Sequence, residues 1–304
     1  MQSILNLIRW KNLLLIVLVQ LLIKYALLEP FGVTITLNGM GLFILILATL
    51  CLAAAGNIIN DIYDIETDLI NKPNRVTVGK SISEKTAYNL FFAFNFIGVA
   101  LGFYLSHVVG KSPFFTLFVI ISALLYMYAS YLKQIPLIGN VVISILVALS
   151  LIIVGIFDLL PAITAANKEA QITFFKIILD YAFFAFIINL IREMVKDIED
   201  IDGDYKAGRN TLPIAIGRDR ANKVIFVFSL IPIVGVVFYI TTFLYKQEIA
   251  VAYFLLFIVA PLIYISIKLF SAKTKKEYAH ISIILKLVML FGMLSMLLYP
   301  LILK

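Results

Sequence analysis

The sequence has few of the residues on which disulfide-bonded and zinc-binding proteins depend. Its 304 residues include a single cysteine, Cys51, and two histidines. An intrachain disulfide is therefore excluded, and a zinc site of Cys and His ligands is not indicated. There is no G-x-x-x-x-G-K-[ST] sequence and no serine nucleophile elbow. These absences argue against P-loop chemistry and against a serine hydrolase of the common type.

Charged residues are also scarce, at 14% of the chain, whereas 62% of the residues are hydrophobic. A soluble domain of this length does not need so many apolar residues, so most of the chain is expected to lie in a membrane. At about 20 residues per crossing, nine spans are predicted. They are approximately residues 12–29, 40–60, 86–107, 113–132, 137–159, 172–196, 220–243, 250–270 and 281–303. The sequence therefore predicts an all-α integral membrane protein, with residues 1–304 as a single domain.

The basic residues predict how the chain is oriented. Most of the 25 Lys and Arg residues fall in the N-terminal segment and in alternate loops, and this side is expected to be cytoplasmic. An odd number of spans then places the N-terminus in the cytoplasm and the C-terminus outside the cell (inner) membrane. The net charge of +7 is attributed to these loops and not to nucleic-acid binding, and no protein partner is predicted. Asp158 and Asp180 are expected at the opposite membrane interface.

Two stretches on the predicted cytoplasmic side have the same acid spacing, D-x-x-D-x-x-x-D. The first contains Asp61, Asp64 and Asp68, and the second contains Asp197, Asp200 and Asp204. Offsets of three, four and seven residues place the carboxylates of a set on one face of a helix. Like charges packed in this way repel one another, and a divalent cation relieves the repulsion. Because Mg²⁺ takes oxygen ligands and usually binds a few carboxylates plus substrate phosphates, we expect the two sets to hold a diphosphate through Mg²⁺.

Basic and amide side chains near the acids are candidates for the remaining phosphate oxygens, because Lys and Arg bind phosphate by charge and hydrogen bonds. The predicted diphosphate-binding residues are Asn60, Lys72, Arg75, Lys133, Lys196 and Arg209. Asn60 lies four residues before Asp64 and so on the same helix face. Other interpretations stay open: the acids could cap helices in a solvated loop, Lys133 could be a snorkelling interfacial lysine, and Asn140 could cap a helix or touch the site.

The pair of motifs resembles the UbiA superfamily of intramembrane prenyltransferases. That family has an N-x-x-x-D-x-x-x-D motif after the second helix and a D-x-x-x-D motif after the sixth. Here the matching residues are Asn60, Asp64 and Asp68, and then Asp200 and Asp204. Further similarity to the branch that makes digeranylgeranylglyceryl phosphate is found in Arg192–Asp200, Gly203-Asp204, Thr211-Leu212-Pro213, and Lys133 followed by Ile135-Pro136 and Gly139-Asn140.

The resemblance implies a bundle of nine helices around a central apolar cavity, with the two motifs at its cytoplasmic side. It implies Mg²⁺-dependent transfer of a polyprenyl group, in this branch geranylgeranyl, from its diphosphate to a prenylated glycerol phosphate in membrane lipid biosynthesis. Asp64, Asp68, Asp200 and Asp204 are then catalytic, and all six motif acids are candidate metal ligands. Lys11, Arg75 and Arg209 are candidates for the acceptor phosphate.

Two alternatives remain open. The acceptor could be aromatic, namely 4-hydroxybenzoate, 1,4-dihydroxy-2-naphthoate or homogentisate, as in quinone biosynthesis. A cation-coupled secondary transporter would also need acids near its spans. The spans lack the series of mid-bilayer charges and the paired broken helices that are typical of such transporters.

Overall fold

The computed structural model describes residues 2–74 and 76–302, with the side chains of residues 301 and 302 left out. Within these residues the chain is helical and has no β-strand. Nine of the described helices are long and apolar enough to cross a membrane. They are α2 Trp10–Phe31, α3 Gly39–Tyr63, α5 Glu84–Val108, α6 Ser112–Ser130, α7 Ile138–Ala162, α8 Lys168–Glu199, α11 Arg218–Leu244, α12 Glu248–Ser271 and α13 Lys275–Leu298. The predicted all-α fold with nine candidate spans is confirmed.

Five shorter helices complete the described chain. They are α1 Gln2–Leu7, α4 Ile65–Asn71, α9 Ile201–Lys206, α10 Leu212–Ile216 and α14 Tyr299–Ile302. Two of them, α4 and α9, follow the long helices α3 and α8 after a single residue. The segments that were expected to leave the membrane as loops after the acids are therefore partly helical.

The start of α13 differs from the sequence prediction. The helix begins at Lys275, six residues before the predicted span at 281. Thr274 and Glu277 form a capping box: the Glu277 carboxylate accepts from the Thr274 backbone N–H at 2.8 Å, and the Thr274 hydroxyl accepts from the Glu277 backbone N–H at 3.4 Å. The box satisfies backbone donors of the first turn, so the helix extends through Lys275 and Lys276 beyond the apolar run.

The chain folds into two compact units, each made of two stretches of sequence. Unit 1 consists of Met1–Lys133 and Leu149–Leu179, and unit 2 consists of Gln134–Ala148 and Asp180–Lys304. The first acidic motif therefore belongs to unit 1 and the second to unit 2. Whether residues 1–304 behave as one domain stays a prediction.

Unit 1 is organised by close packing of α3 against α5. At Gly98 of α5, an added Cβ would lie 2.8 Å from the Leu52 side chain and 3.1 Å from the Ala48 carbonyl oxygen of α3. Small residues at such crossings let two membrane helices approach closely. At the motif end of α3, a buried cluster joins Leu7 of α1 to Ile58 and Ile62.

A fully buried ion pair lies in unit 1 away from the acidic motif. Lys24 of α2 and Asp158 of α7 are 1% and 0% exposed, and Lys24 Nζ lies 3.5 Å from Asp158 Oδ2. Lys24 also donates to the Leu37 carbonyl oxygen, while Asp158 accepts from the Leu37 backbone N–H at 2.8 Å. Asp158, which is expected at the membrane interface, is thus buried inside the protein, where Lys24 and the backbone at Leu37 replace the water that an exposed carboxylate would need.

Unit 2 packs α11 against α12 and α12 against α13. Its core includes Ile191 and Met194 of α8, Ile225 of α11, Leu262 of α12 and Leu285 of α13, all of them buried. Packing of these side chains positions the end of α8 that carries the second motif.

Candidate active site

The two acidic motifs have the same local backbone. Asp64 follows α3 with φ −101° and ψ 3°, and Asp200 follows α8 with φ −102° and ψ 8°. Both residues lie in the sparsely populated bridge region in which many active-site residues are found. Each is followed directly by a short helix, so the repeated acid spacing corresponds to a repeated structural motif.

The expectation that three carboxylates share one face of a continuous helix is only partly met. The long helix ends at the middle acid of each motif, and the last acid, Asp68 or Asp204, lies on the following short helix. The helical hydrogen bond across the break persists: the Asp68 N–H donates to the Asp64 carbonyl oxygen at 2.8 Å, and the Asp204 N–H donates to the Asp200 carbonyl oxygen at 3.1 Å. The turn therefore keeps the middle and last acids as neighbours.

In unit 1, Asn60, Asp64 and Lys133 form a hydrogen-bonded group. Lys133 Nζ donates to Asp64 Oδ1 at 2.7 Å and to Asn60 Oδ1 at 3.2 Å, and Asn60 Nδ2 donates to Asp64 Oδ2 at 2.7 Å. The Lys133 side chain is only 7% exposed. Asn60 therefore contacts Asp64, whose helix face it is predicted to share, and Lys133 is buried against both residues. A contact of Lys133 with phosphate stays a prediction.

The first acid of this motif has a partner that the sequence reasoning missed. Arg9 Nη2 donates to Asp61 Oδ1 at 2.7 Å, across 52 residues of sequence. Partial burial lowers the pKa of Arg9, but the charge of Asp61 and the hydrogen bond to it outweigh this effect, so the pKa lies above its ordinary value. The sequence indicates Arg9 only as a basic residue that helps to set the orientation of the chain. No local pattern links it to Asp61.

The last acid of the first motif, Asp68, is half-buried. Burial raises its pKa above the ordinary value, and the neighbouring carboxylates of Asp64 and Asp61 raise it further. A cation placed among these acids would relieve that repulsion. Lys72 follows at the end of α4, and its backbone N–H donates to the Asp68 carbonyl oxygen at 2.8 Å. Arg75 lies outside the described residues.

In unit 2, the first acid of the second motif is bound by an amide. Asn140 Nδ2 donates to Asp197 Oδ2 at 2.8 Å. Asn140 is buried, and its backbone carbonyl oxygen accepts from the Ser144 hydroxyl at 2.6 Å. The oxygen of that hydroxyl in turn accepts from the Asn189 side-chain amide at 3.1 Å. Of the two roles left open for Asn140, the structure shows contact with the acidic motif.

Basic residues also contact the second motif and its helix. Arg209 Nη1 donates to Asp204 Oδ1 at 3.1 Å, and its backbone N–H donates to the Asp204 carbonyl oxygen. Lys196 and Arg192 each donate to Glu193 at 2.8 Å. Lys196 therefore neutralises a glutamate one turn before Asp197, while Arg209 contacts the motif itself.

The donor atoms around both motifs are those that Mg²⁺ prefers, namely carboxylate and amide oxygens. Among the described residues, no three His, Cys, Asp or Glu side chains are grouped closely enough to bind a metal by themselves. This agrees with the chemistry of Mg²⁺, which usually retains waters and takes one or two carboxylates plus substrate phosphates. The residues therefore fit a metal that binds together with a diphosphate, and they do not form a closed protein-only cage.

Comparison with known proteins identifies the family. A sequence model of the UbiA prenyltransferase family matches residues 31–290. The chain is 33% identical over 250 residues to digeranylgeranylglyceryl phosphate synthase of Korarchaeum cryptofilum, covering 81% of each chain. It is 32% identical over 257 residues to the synthase of the same name from Methanosphaera stadtmanae, covering 83% of this chain and 86% of that one. The chain belongs to the UbiA prenyltransferase family.

Solved structures show the same fold. A structure described as digeranylgeranylglyceryl phosphate synthase in membranes aligns with a TM-score of 0.62 and 23% identity, over 97% of this chain and 98% of that one. A UbiA homologue from Archaeoglobus fulgidus, bound to DMAPP and Mg²⁺, aligns with a TM-score of 0.54 and 17% identity, over 97% and 99%. The predicted resemblance, including its branch, is confirmed, and the chain is an integral membrane prenyl transferase.

Proposed function

We propose that this protein transfers a geranylgeranyl group from its diphosphate to the free hydroxyl of a geranylgeranylglyceryl phosphate, forming an ether-lipid precursor and releasing diphosphate. The observation that carries the proposal is the identity of 33% over 81% of the chain with a digeranylgeranylglyceryl phosphate synthase. The local geometry supports it, because each unit presents one acidic motif with the same backbone, accompanied by basic side chains suited to phosphate oxygens.

We propose Mg²⁺ as the cofactor, because the donor set suits it and a structural neighbour binds DMAPP with Mg²⁺. The ligands would be Asp64, Asp68, Asp200 and Asp204, with Asp61 and Asp197 as further candidates. When bound, Mg²⁺ neutralises the negative charge that develops on the departing diphosphate. The contact of Asp61 with Arg9 uses Oδ1 and that of Asp197 with Asn140 uses Oδ2, so the second oxygen of each carboxylate could bind the ion while the contact is kept.

The chain's own basic and amide side chains hold the diphosphate. Lys133 is positioned by Asp64 and Asn60 to donate to a diphosphate oxygen, and its near-complete burial strengthens that charge-assisted hydrogen bond. Arg209 is placed in the same way beside Asp204. The further candidates for the diphosphate are Asn60, Lys72, Arg75 and Lys196. The C–O bond to diphosphate breaks, the acceptor oxygen forms the new C–O bond to the allylic carbon, and the hydroxyl proton passes to the released diphosphate.

We further propose that the protein lies in the cell membrane with its N-terminus and both motifs in the cytoplasm and its C-terminus outside. The distribution of Lys and Arg supports this orientation. Single cysteines can test it in a Cys51→Ala background. Lys80→Cys is expected to react with an impermeant maleimide only after the cells are opened, and Lys111→Cys is expected to react in intact cells.

A transfer assay tests the activity. Purified protein in lipid receives labelled geranylgeranyl diphosphate with one acceptor at a time: geranylgeranylglyceryl phosphate, 4-hydroxybenzoate, 1,4-dihydroxy-2-naphthoate or homogentisate. We expect transfer to the glycerol phosphate only, with loss on addition of EDTA and recovery with excess Mg²⁺. Transfer only to an aromatic acceptor would reject the proposed substrate, and the absence of diphosphate release with every acceptor would reject prenyl transfer by this chain.

A further inference from the structure

Arg9 has an unusual backbone conformation. Its φ of 53° and ψ of 50° lie in the left-handed region, and among the described residues it shares a positive φ only with Leu137 and five glycines. The residue separates α1 from α2. Its backbone makes local bonds, since its N–H donates to the Asn6 carbonyl oxygen at 3.0 Å and its carbonyl oxygen accepts from the Asn12 N–H at 2.8 Å. The left-handed conformation is nevertheless costly for an arginine, so contacts with other segments are expected to support it.

Three further contacts hold this segment against α3, the helix that leads into the first acidic motif. Leu7 is fully buried in the cluster with Ile58 and Ile62. Asn57 Nδ2 donates to the Ile8 carbonyl oxygen at 3.0 Å, immediately before the bend. Arg9 Nη2 then donates to Asp61 Oδ1 at 2.7 Å. The bend therefore serves to place one guanidinium beside Asp61.

This guanidinium lies beside the group around Lys133. Asn57 and Asp61 are four residues apart on α3, and Asn60 and Asp64 form a second pair that begins three residues later. Three residues turn by about 300° around a helix of 3.6 residues per turn, so the two pairs lie side by side, about 60° apart. Lys133 contacts the pair Asn60 and Asp64, and the backbone at Ile8 and the Arg9 side chain contact the pair Asn57 and Asp61.

We propose that Arg9, held by Asp61 and assisted by Lys11, binds the phosphate of the glycerol-phosphate lipid acceptor. An arginine has five N–H donors, and the Arg9 side chain remains 38% exposed beside Asp61. Lys11 is exposed two residues later, and the exposed Trp10 between them is suited to the headgroup level of a membrane. Two cations and one carboxylate leave a net positive charge for a phosphate.

The other candidate cations for this phosphate are less suitable. Arg209 is only 12% exposed and contacts Asp204 through both its side chain and its backbone. Lys133 is almost fully buried against Asp64. Both are better placed for the donor diphosphate. In contrast, the Arg9 side chain is 38% exposed and directly precedes the span that begins at Trp10, the level at which the headgroup of a lipid acceptor is expected.

This inference rests on the proposed function, and its test uses four variants of Arg9, Asp61 and Lys11. Arg9→Asn removes the charge but tolerates the left-handed conformation, Arg9→Lys keeps the charge but loses the planar fork, and Asp61→Asn removes the carboxylate that holds Arg9. Lys11→Gln tests the assisting cation. Lys246→Gln, which changes an exposed lysine in unit 2, is the matched charge control.

The readouts are the KM for acceptor, the KM for donor, the apparent Mg²⁺ affinity and equilibrium binding without donor or metal. The binding probes are geranylgeranylglyceryl phosphate and the same lipid lacking its phosphate, both added to protein in uncharged detergent. Repeating the assay in vesicles with increasing phosphatidylglycerol distinguishes acceptor phosphate from bulk lipid headgroups.

We expect Arg9→Asn to raise the acceptor KM by about 10- to 100-fold, the range for losing a hydrogen bond to a charged group. The donor KM and Mg²⁺ affinity should change less than about twofold, which is within the non-specific effect of a surface substitution. Arg9→Lys and Lys11→Gln should fall in between. Binding of the phosphorylated probe should weaken, and binding of the dephosphorylated probe should not. Asp61→Asn should act on the acceptor in the same direction.

Three results would overturn the proposal. A higher donor KM in Arg9→Asn would assign Arg9 to the diphosphate, and equal weakening of both lipid probes would indicate a structural role. An effect of Asp61→Asn on Mg²⁺ affinity alone would make Asp61 a metal ligand. If Arg9→Asn does not fold, Arg9→Lys and Lys11→Gln decide by the same readouts. Failure of the wild-type protein to transfer to any glycerol phosphate would instead refute the proposed function.

Discussion

The first acids of the two motifs, Asp61 and Asp197, have equivalent positions but different partners. Asp61 is bound by the guanidinium of Arg9, and Asp197 by the neutral amide of Asn140. In unit 1, Lys133 pairs with the middle acid as well. In unit 2, the cation is Arg209, and it contacts the last acid, Asp204.

This difference separates what the motif encodes from what the rest of the chain adds. The backbone at Asp64 and Asp200 agrees within a few degrees, because the same local pattern of apolar and acidic residues precedes and follows each. The partners come from remote segments, 52 residues away for Arg9 and 57 for Asn140. The repeated pattern therefore supplies two similar sets of oxygen ligands, and the partners give each set a different charge.

The largest expected effect tests what the motifs have in common. Asp64→Asn and Asp200→Asn should each lower the transfer rate by at least about 10²-fold, since each removes a ligand for a metal that carries transition-state charge. The rate is measured in membranes with equal amounts of protein. Glu66→Gln and Asp202→Asn are the controls, because both acids are exposed and lie in the same stretches. Near-normal turnover of Asp64→Asn or Asp200→Asn would contradict a shared role of the motifs.

A second prediction separates a structural ion pair from those at the motifs. Lys24→Met leaves Asp158 buried without its cation and should lower the free energy of unfolding by about 3–5 kcal/mol. Thermal unfolding in detergent measures this loss. The transfer rate per folded molecule should stay within about twofold of the wild-type rate, as expected for a residue outside the site. Lys111→Met, at an exposed lysine, is the control. An unchanged unfolding temperature in Lys24→Met would show that the pair contributes little.

The opposite pattern is expected for the lysine beside Asp64. Lys133→Met should lower kcat/KM for the prenyl diphosphate by about 10- to 100-fold, the range for losing a hydrogen bond to a charged group. Its unfolding temperature should fall less than that of Lys24→Met, because the remaining Asp64 keeps the amide of Asn60 as a donor. A large loss of stability with normal kcat/KM would make Lys133 structural, and the contrast with Lys24 would disappear.

The smallest effect is expected at Asp197, whose partner is the neutral amide of Asn140. Asn140→Ala removes a dipole and no charge, so the rate should fall by about fivefold, corresponding to about 1 kcal/mol for an ordinary hydrogen bond. Ser144→Ala, which keeps the amide but removes the hydroxyl bound to its backbone, should have a smaller effect still. Steady-state rates of the two variants at saturating substrate measure both effects. A loss as large as that of Lys133→Met would mean that the amide and the lysine contribute equally.

The sequence predicted the spans and the neighbouring positions of Asn60 and Asp64 for simple physical reasons. Apolar runs of membrane length must form helices, because a lipid environment leaves backbone donors no other partner. Asn60 and Asp64 are four residues apart on one helix, and their contact follows from helix geometry. The start of α13 was missed because the capping box of Thr274 and Glu277 lies outside the apolar run.

Contacts between remote segments could not be predicted. The left-handed backbone of Arg9 and its ion pair with Asp61 have no signal in the neighbouring residues. The sequence around Asp158 indicated an interfacial acid, and only the approach of Lys24 and of the backbone at Leu37 makes its burial tolerable. In each case the decisive partner is more than 50 residues from the acid, or comes from a different helix.

The sequence alone determined that this protein is a helical membrane enzyme with two acidic motifs, because hydropathy and acid spacing act over one or two helical turns. The tertiary structure decided which cation or amide meets each carboxylate. That choice depends on how helices pack, and packing depends on side-chain shapes along the whole length of a helix, which no single motif contains.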